Sequence, residues 1–173
     1  MAVPQTFLLD ANVFIQAKRR WYRFAVVPGF WDWLAWHYKQ GTIRSIDRVM
    51  KELEAGKDDL RHWAKKKAPK GFFEPTIDDS TAGEYGKILV WVQEQPQCPQ
   101  SEFDRFAAGA DGWLVAHAKA EGYAVVTHEE PAGGGKRVKI PDVCRAFKVE
   151  YTDTFDMLEG LKAVFTWGAG GAK

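Results

Sequence analysis

The sequence is short of the residues on which several protein classes depend. It has two cysteines, Cys98 and Cys144, which form no zinc-ligand spacing and no secreted disulfide framework. A reducing, cytoplasmic setting is the simplest expectation. Of the histidines, His37, His62 and His117 show no ligand spacing and read as structural or surface groups. No run approaches the roughly 20 consecutive apolar residues of a membrane helix, and no charged-then-apolar leader precedes the first strand, so no membrane contact is expected. Neither charge sign dominates: 24 Lys and Arg stand against 23 Asp and Glu. A globally basic nucleic-acid binder is thereby excluded, and any contact with nucleic acid must come from local patches.

What is present is an alternation of short apolar runs with helical patterns. Thr6 to Asp10 and Tyr123 to Thr127 read as buried strands, and Thr42 to Ile46 and Lys148 to Thr152 as further short strands. Phe72 to Ile77 reads as an edge strand, because Pro75 lacks the donor that an inner strand needs. Helices are expected over 29–39, from Asp47 to about Ala55, over 58–67, 81–94 and 101–121 with a break near Gly109 to Gly112, from Pro141, and over 153–163. Strands separated by helices mean a parallel sheet covered on both faces. The length fits one domain, taken here as 1–165, and the Gly/Ala-rich residues 166–173 are expected to be a disordered tail.

Four acids share a pattern within this frame. In open α/β sheets, ligands bind beyond the carboxyl ends of the strands. Asp10 ends the first strand, and Glu129 lies two residues past the strand Ala124-Val125-Val126-Thr127. Glu52 flanks the apolar stripe of Val49, Met50 and Leu53, with Glu54 as a competitor. Asp111 precedes Leu114, Val115 and Ala118 at i+3, i+4 and i+7, which places it on their face. Asp104 shares that face only if the helix runs unbroken. Each acid alone has a plain structural reading as a cap, a turn or a solvated side chain. Gathered in one place they would repel one another, and hard cations such as Mg²⁺ or Mn²⁺ would offset that repulsion. Two other acid- or phosphate-based sites do not fit. A haloacid-dehalogenase-like phosphatase needs Asp-x-Asp where position 12 is Asn12, and a dinucleotide site needs a Gly-x-Gly-x-x-Gly that the first strand lacks.

The segments Leu8-Leu9-Asp10-Ala11-Asn12, Ala110-Asp111-Gly112-Trp113-Leu114-Val115-Ala116-His117-Ala118 and Gly122-Tyr123-Ala124-Val125-Val126-Thr127 resemble the motifs of PIN-domain ribonucleases. With Phe14-Ile15-Gln16-Ala17-Lys18 and Ile140-Pro141-Asp142-Val143-Cys144, the chain resembles the PIN-like subgroup of the DUF4411 type from residue 6 to about 162. The resemblance implies a three-layer α/β/α fold with a central parallel sheet. It implies metal-dependent RNA cleavage, often as the toxin of a toxin–antitoxin pair, with Mg²⁺ or Mn²⁺ at Asp10, Glu52 and Asp111 and with Asn12 and Thr127 in support. The family's acid after the last Thr is an Asp. Here Glu129 matches it, with Glu130 beside it and Asp142 as a further candidate, and this departure keeps open a weakened RNA- or protein-binding module.

Two segments are candidate RNA contacts. Lys18-Arg19-Arg20-Trp21-Tyr22-Arg23-Phe24 interleaves basic and aromatic residues, as phosphate binding and base stacking require, although a charged turn with a tucked tryptophan has the same pattern. Lys136 and Arg137 follow three glycines in a loop beside Glu129. A lysine run at 65–67 reads more simply as a solvated helix face. Phe30, Trp31, Trp33 and Trp36 spread around their helix, which points to deep burial or to a covering partner, a second copy or an antitoxin.

Overall fold

In the computed structural model, residues 5–166 are described. The expected tail, 166–173, lies outside them except for Thr166. Five strands form one parallel sheet: β1 (Phe7–Leu9), β2 (Ile43–Ile46), β3 (Phe73–Glu74), β4 (Ala124–Val126) and β5 (Tyr151–Thr152). The order across the sheet is β3-β2-β1-β4-β5. The chain moves outward from β1 to β3, then crosses back to β4 and β5. Strand order therefore reverses between β1 and β4, where open α/β sheets place their ligands. Right-handed crossovers then put α1 (Ala11–Gln16), α2 (Pro28–Lys39), α3 (Asp47–Ala55) and α4 (Asp59–His62) on one face. On the other lie α5 (Asp79–Gln93), α6 (Gln100–Ala108), α7 (Asp111–Glu121) and α8 (Ile140–Phe147). α9 (Thr154–Gly160) follows β5.

Leu8, Leu9, Val125 and Val126 are fully buried, as expected of strands covered on both faces. β3 is one of the two edge strands, with β5 at the other edge, and it stops at Glu74, just before Pro75. The 101–121 pattern divides at Gly109 and Ala110 into α6 and α7. α7 then buries Leu114, Val115, Ala116, His117 and Ala118 in succession, because the sheet, α5 and α8 enclose it.

Two features carry no periodic signal. α1 is only six residues long and continues into a π turn, Ala17–Trp21, in which the Tyr22 N–H donates to the Ala17 carbonyl at 2.8 Å. A second π turn, Trp63–Lys67, follows α4 and closes with Ala68 N–H on the Trp63 carbonyl. Phe14 of α1 packs against Trp63, Phe72 and Phe73 with ring centroids 5.7–6.1 Å apart, so one aromatic side chain joins α1 to the second π turn and to β3.

The aromatic helix resolves both ways. Phe30, Trp31 and Leu34 enter the core, while Trp36 stays 55% exposed. His117 is structural, as its lack of ligand spacing suggested. Its Nδ1 meets Thr81 Oγ1 at 3.0 Å and its Nε2 meets Glu74 Oε2 at 3.0 Å, tying the buried imidazole of α7 to α5 and to β3.

Candidate acidic site

The strand registry builds the site. Leu9 pairs with Val126, so the next residues, Asp10 and Thr127, emerge side by side at the reversal point. Asp10 N–H donates to the Val126 carbonyl at 3.0 Å. Thr127 Oγ1 donates to Asp10 Oδ2 at 3.0 Å. Ser45 Oγ donates to the Leu9 carbonyl at 2.7 Å, which fixes β2 beside the same strand end. Asp10 is 3% exposed and has no cationic partner among the described residues.

Asp111 opens α7, with Gly112 behind it. A Cβ at Gly112 would lie 2.8 Å from Phe106 Cε1 and 2.9 Å from Tyr85 Cε2. Only glycine lets the helix start settle this closely on those rings. Glu52 reaches over from α3: its Oε1 accepts from Ala110 N–H at 3.1 Å, satisfying a backbone donor at the start of α7. Glu129 stands past β4 with both oxygens held, Oε1 by Lys139 Nζ at 2.9 Å and Oε2 by Ile140 N–H at 2.9 Å.

These four acids share one electrostatic neighbourhood. Burial pushes Asp10 up to about 7, and the charges of Asp111, Glu129 and Glu52 push the same way, against the Thr127 hydrogen bond. Asp111 rises to about 6, first through burial and then through Glu129 and Glu52, while Arg105 and Lys139 pull it down. Buried carboxylates that repel one another need a cation or a proton. Among the described residues, no three His, Cys, Asp or Glu side chains close around a single point. Mg²⁺ takes oxygen ligands, keeps several waters and is commonly bound through one or two carboxylates. The hard oxygen donors fit such an ion, with Asp10 held by Thr127 and Asp111 standing beside Arg105.

The other candidate acids have these surroundings. Glu54 lies 3.6 Å from Lys65, and Asp104 accepts from Gln100. Asp142 Oδ2 accepts from Ala132 N–H and so pins the glycine loop. Glu130 is exposed. Asn12 is half-buried in the first turn of α1.

The basic candidates divide. Lys18 is paired with Asp58, whereas Arg19 and Arg20 are exposed. Lys136 and Arg137 are exposed in the loop before α8.

Sequence reasoning missed Arg105 and Glu102. Glu102, buried on α6, grips Arg105 through two bonds at 2.7 and 2.9 Å and accepts from Val138 N–H. The braced guanidinium stands 3.9 Å from Asp111. The Glu/Arg spacing of three on one helix was the available signal, but nothing local showed where the pair points.

No curated protein matches the chain in sequence. Among solved structures, it is similar to VapBC2 from Rickettsia felis, solved bound to a DNA fragment from their promoter. The identity is 16%, the coverage is 86% of this chain and 98% of that one, and the TM-score is 0.52. It is also similar to FitAcB from Neisseria gonorrhoeae at 20% identity, covering 84% of this chain and 96% of that one, with a TM-score of 0.49. The VapBC2 likeness shows the fold, a PIN-like α/β/α arrangement around a parallel sheet. The family model of a domain of unknown function, DUF4411, matches residues 7–165, and the chain belongs to that family.

Proposed function

We propose that this chain is a metal-dependent endoribonuclease acting as the toxin of a toxin–antitoxin pair. The observation that supports the reading is that four acids share one electrostatic neighbourhood at the reversal point of the sheet: the proton affinity of Asp10 is raised by burial and by Asp111, and that of Asp111 by burial, Glu129 and Glu52. A Mg²⁺ or Mn²⁺ ion held by Asp10 and Asp111, with Glu52 and Glu129 alongside, would supply activated water and charge neutralisation at a phosphodiester. Thr127 holds the Asp10 carboxylate in place through Oδ2. Glu52 fixes the start of α7, and with it Asp111. Arg105, clamped by Glu102, is a preorganised cation beside Asp111 that suits a phosphate oxygen. Asn12 is a supporting polar group at the same strand end. Arg19, Arg20, Lys136 and Arg137 supply local positive charge for the backbone of the RNA. The antitoxin follows from the PIN-toxin motifs and the shared fold.

Asp10→Asn and Asp111→Asn should each cut Mn²⁺-dependent RNA cleavage by more than about a hundredfold, since even groups that only support metal ligands are worth 10–100-fold. Both variants should keep the wild-type circular dichroism. Cleavage retained by both would defeat the reading. One observation favours a second reading, a binding module with a weakened site: both Glu129 oxygens are already taken by Lys139 and Ile140. Such a module would bind RNA and leave it intact with Mn²⁺ present.

A further inference from the structure

Three aromatic rings from three elements meet one residue from the acidic site. Trp21 ends the π turn after α1, His128 lies between Thr127 and Glu129, and Phe155 sits in the first turn of α9. The Trp21 and His128 centroids are 4.9 Å apart, Trp21 and Phe155 are 5.0 Å apart, and His128 and Phe155 are 6.0 Å apart. Thr154 Oγ1 meets His128 Nε2 at 2.8 Å and fixes the imidazole in this group. Unlike the rings of the core, Trp21 is 38% exposed and Phe155 is 45% exposed.

A cavity of about 300 Å³ runs from this group to the strand ends, between Thr127, Glu129 and Phe155. Its rim carries Glu130, Asp153 and Asp156, a poor surrounding for a phosphate. The rings stand at 54–70° to one another, and Trp21 lies beside the cavity rather than in its lining; partly exposed aromatic rings next to hydrogen-bond acceptors suit a nucleobase, whose exocyclic amino groups donate. The phosphates have their own place: Arg19 and Arg20, on the same π turn as Trp21, are exposed and pair with no carboxylate among the described residues. Charge of opposite sign is thus sorted along a few residues, positive where a backbone would run and negative where a base edge would point. π turns recur at functional sites, and this one delivers the two arginines and the tryptophan together.

We infer that Trp21, His128 and Phe155 form a stacking platform for one unpaired base of a single-stranded RNA, beside the acids that cut it. The inference rests on the nuclease reading and assigns the residues that would hold one base of the strand; a base within a duplex cannot expose its face to them.

The test is binding of a short fluorescent single-stranded RNA in EDTA, followed by anisotropy, with the duplex of the same sequence as comparison. Stacking on one aromatic side chain is worth enough that Trp21→Ala and Phe155→Ala should each weaken single-strand binding on the order of tenfold. Trp21→Phe should restore most of the loss, and duplex binding should stay unchanged. Both side chains are exposed, and unchanged melting curves of the variants verify that they fold. Single-strand binding by both alanine variants within about twofold of wild type, or equal losses for duplex and single strand, would overturn the platform. Cleavage by the wild-type chain with Mn²⁺ separates the two claims. A wild-type chain that binds through Trp21 yet leaves the strand whole with Mn²⁺ refutes the nuclease and not the platform.

Discussion

Asp10→Asn, the variant expected to abolish cleavage, should make the cation-free protein more stable at pH 8. Folding raises the Asp10 carboxyl from an ordinary 3.8 to about 7, so the folded state favours the protonated form. The contribution of this group is intact below the unfolded value. It is lost progressively as pH rises from about 4 to about 7, and above that window the folded protein carries the whole penalty. A shift of this size corresponds to on the order of 4 kcal/mol. An amide has nearly the same shape, carries no charge and can still accept from Thr127. Allowing for an imperfect fit, the expected gain in EDTA is about 2–4 kcal/mol, or a rise in Tm of at least roughly 5 °C for a chain of this size. At pH 4, where Asp10 is protonated in the folded state, the two proteins should melt together. The check is a set of melting curves in EDTA across this pH range. An Asp10→Asn protein less stable than wild type at pH 8 would mean that the carboxylate is already compensated.

Phe106→Ala should cost about 3–5 kcal/mol, the usual range for emptying a buried phenylalanine site. Phe106 is fully buried, and its ring lies directly beneath Gly112, where a Cβ would come within 2.8 Å. The start of α7 rests on this ring, and that start carries Asp111 and the Ala110 N–H held by Glu52. Urea unfolding with an unchanged m-value measures the loss. A cost below about 1 kcal/mol would place Phe106 among ordinary, tolerant positions and remove it from the support of the site.

The parts of this fold that could be read in the sequence are those whose signal is local. The edge position of β3 followed from Pro75, the division of α6 from α7 from the glycines at 109 and 112, and the emergence of Asp10 from an acid closing an apolar run. The helix opening at Ala11 was not read, because six residues give no helical period, and the two π turns were not read because widened turns have no sequence signature. Where the acids meet was legible only as an order of elements. Contact between Asp10 and Thr127 depends on the pairing of Leu9 with Val126, a register that no nearby residue declares. What Glu129 touches, and that Glu102 aims Arg105 at Asp111, depends on loops and helix ends far apart in the chain. The PIN-like resemblance supplied the grouping that spacing alone left open, and the family match over residues 7–165 agrees with it.

The central claim is that Asp10 and Asp111 jointly hold one divalent cation, and calorimetric titration of the purified chain with Mn²⁺ at pH 8 tests it most directly. The account predicts one saturable site in the wild-type protein, with Asp10→Asn and Asp111→Asn each abolishing the heat of binding while remaining folded. Saturable binding that survives both substitutions would contradict it.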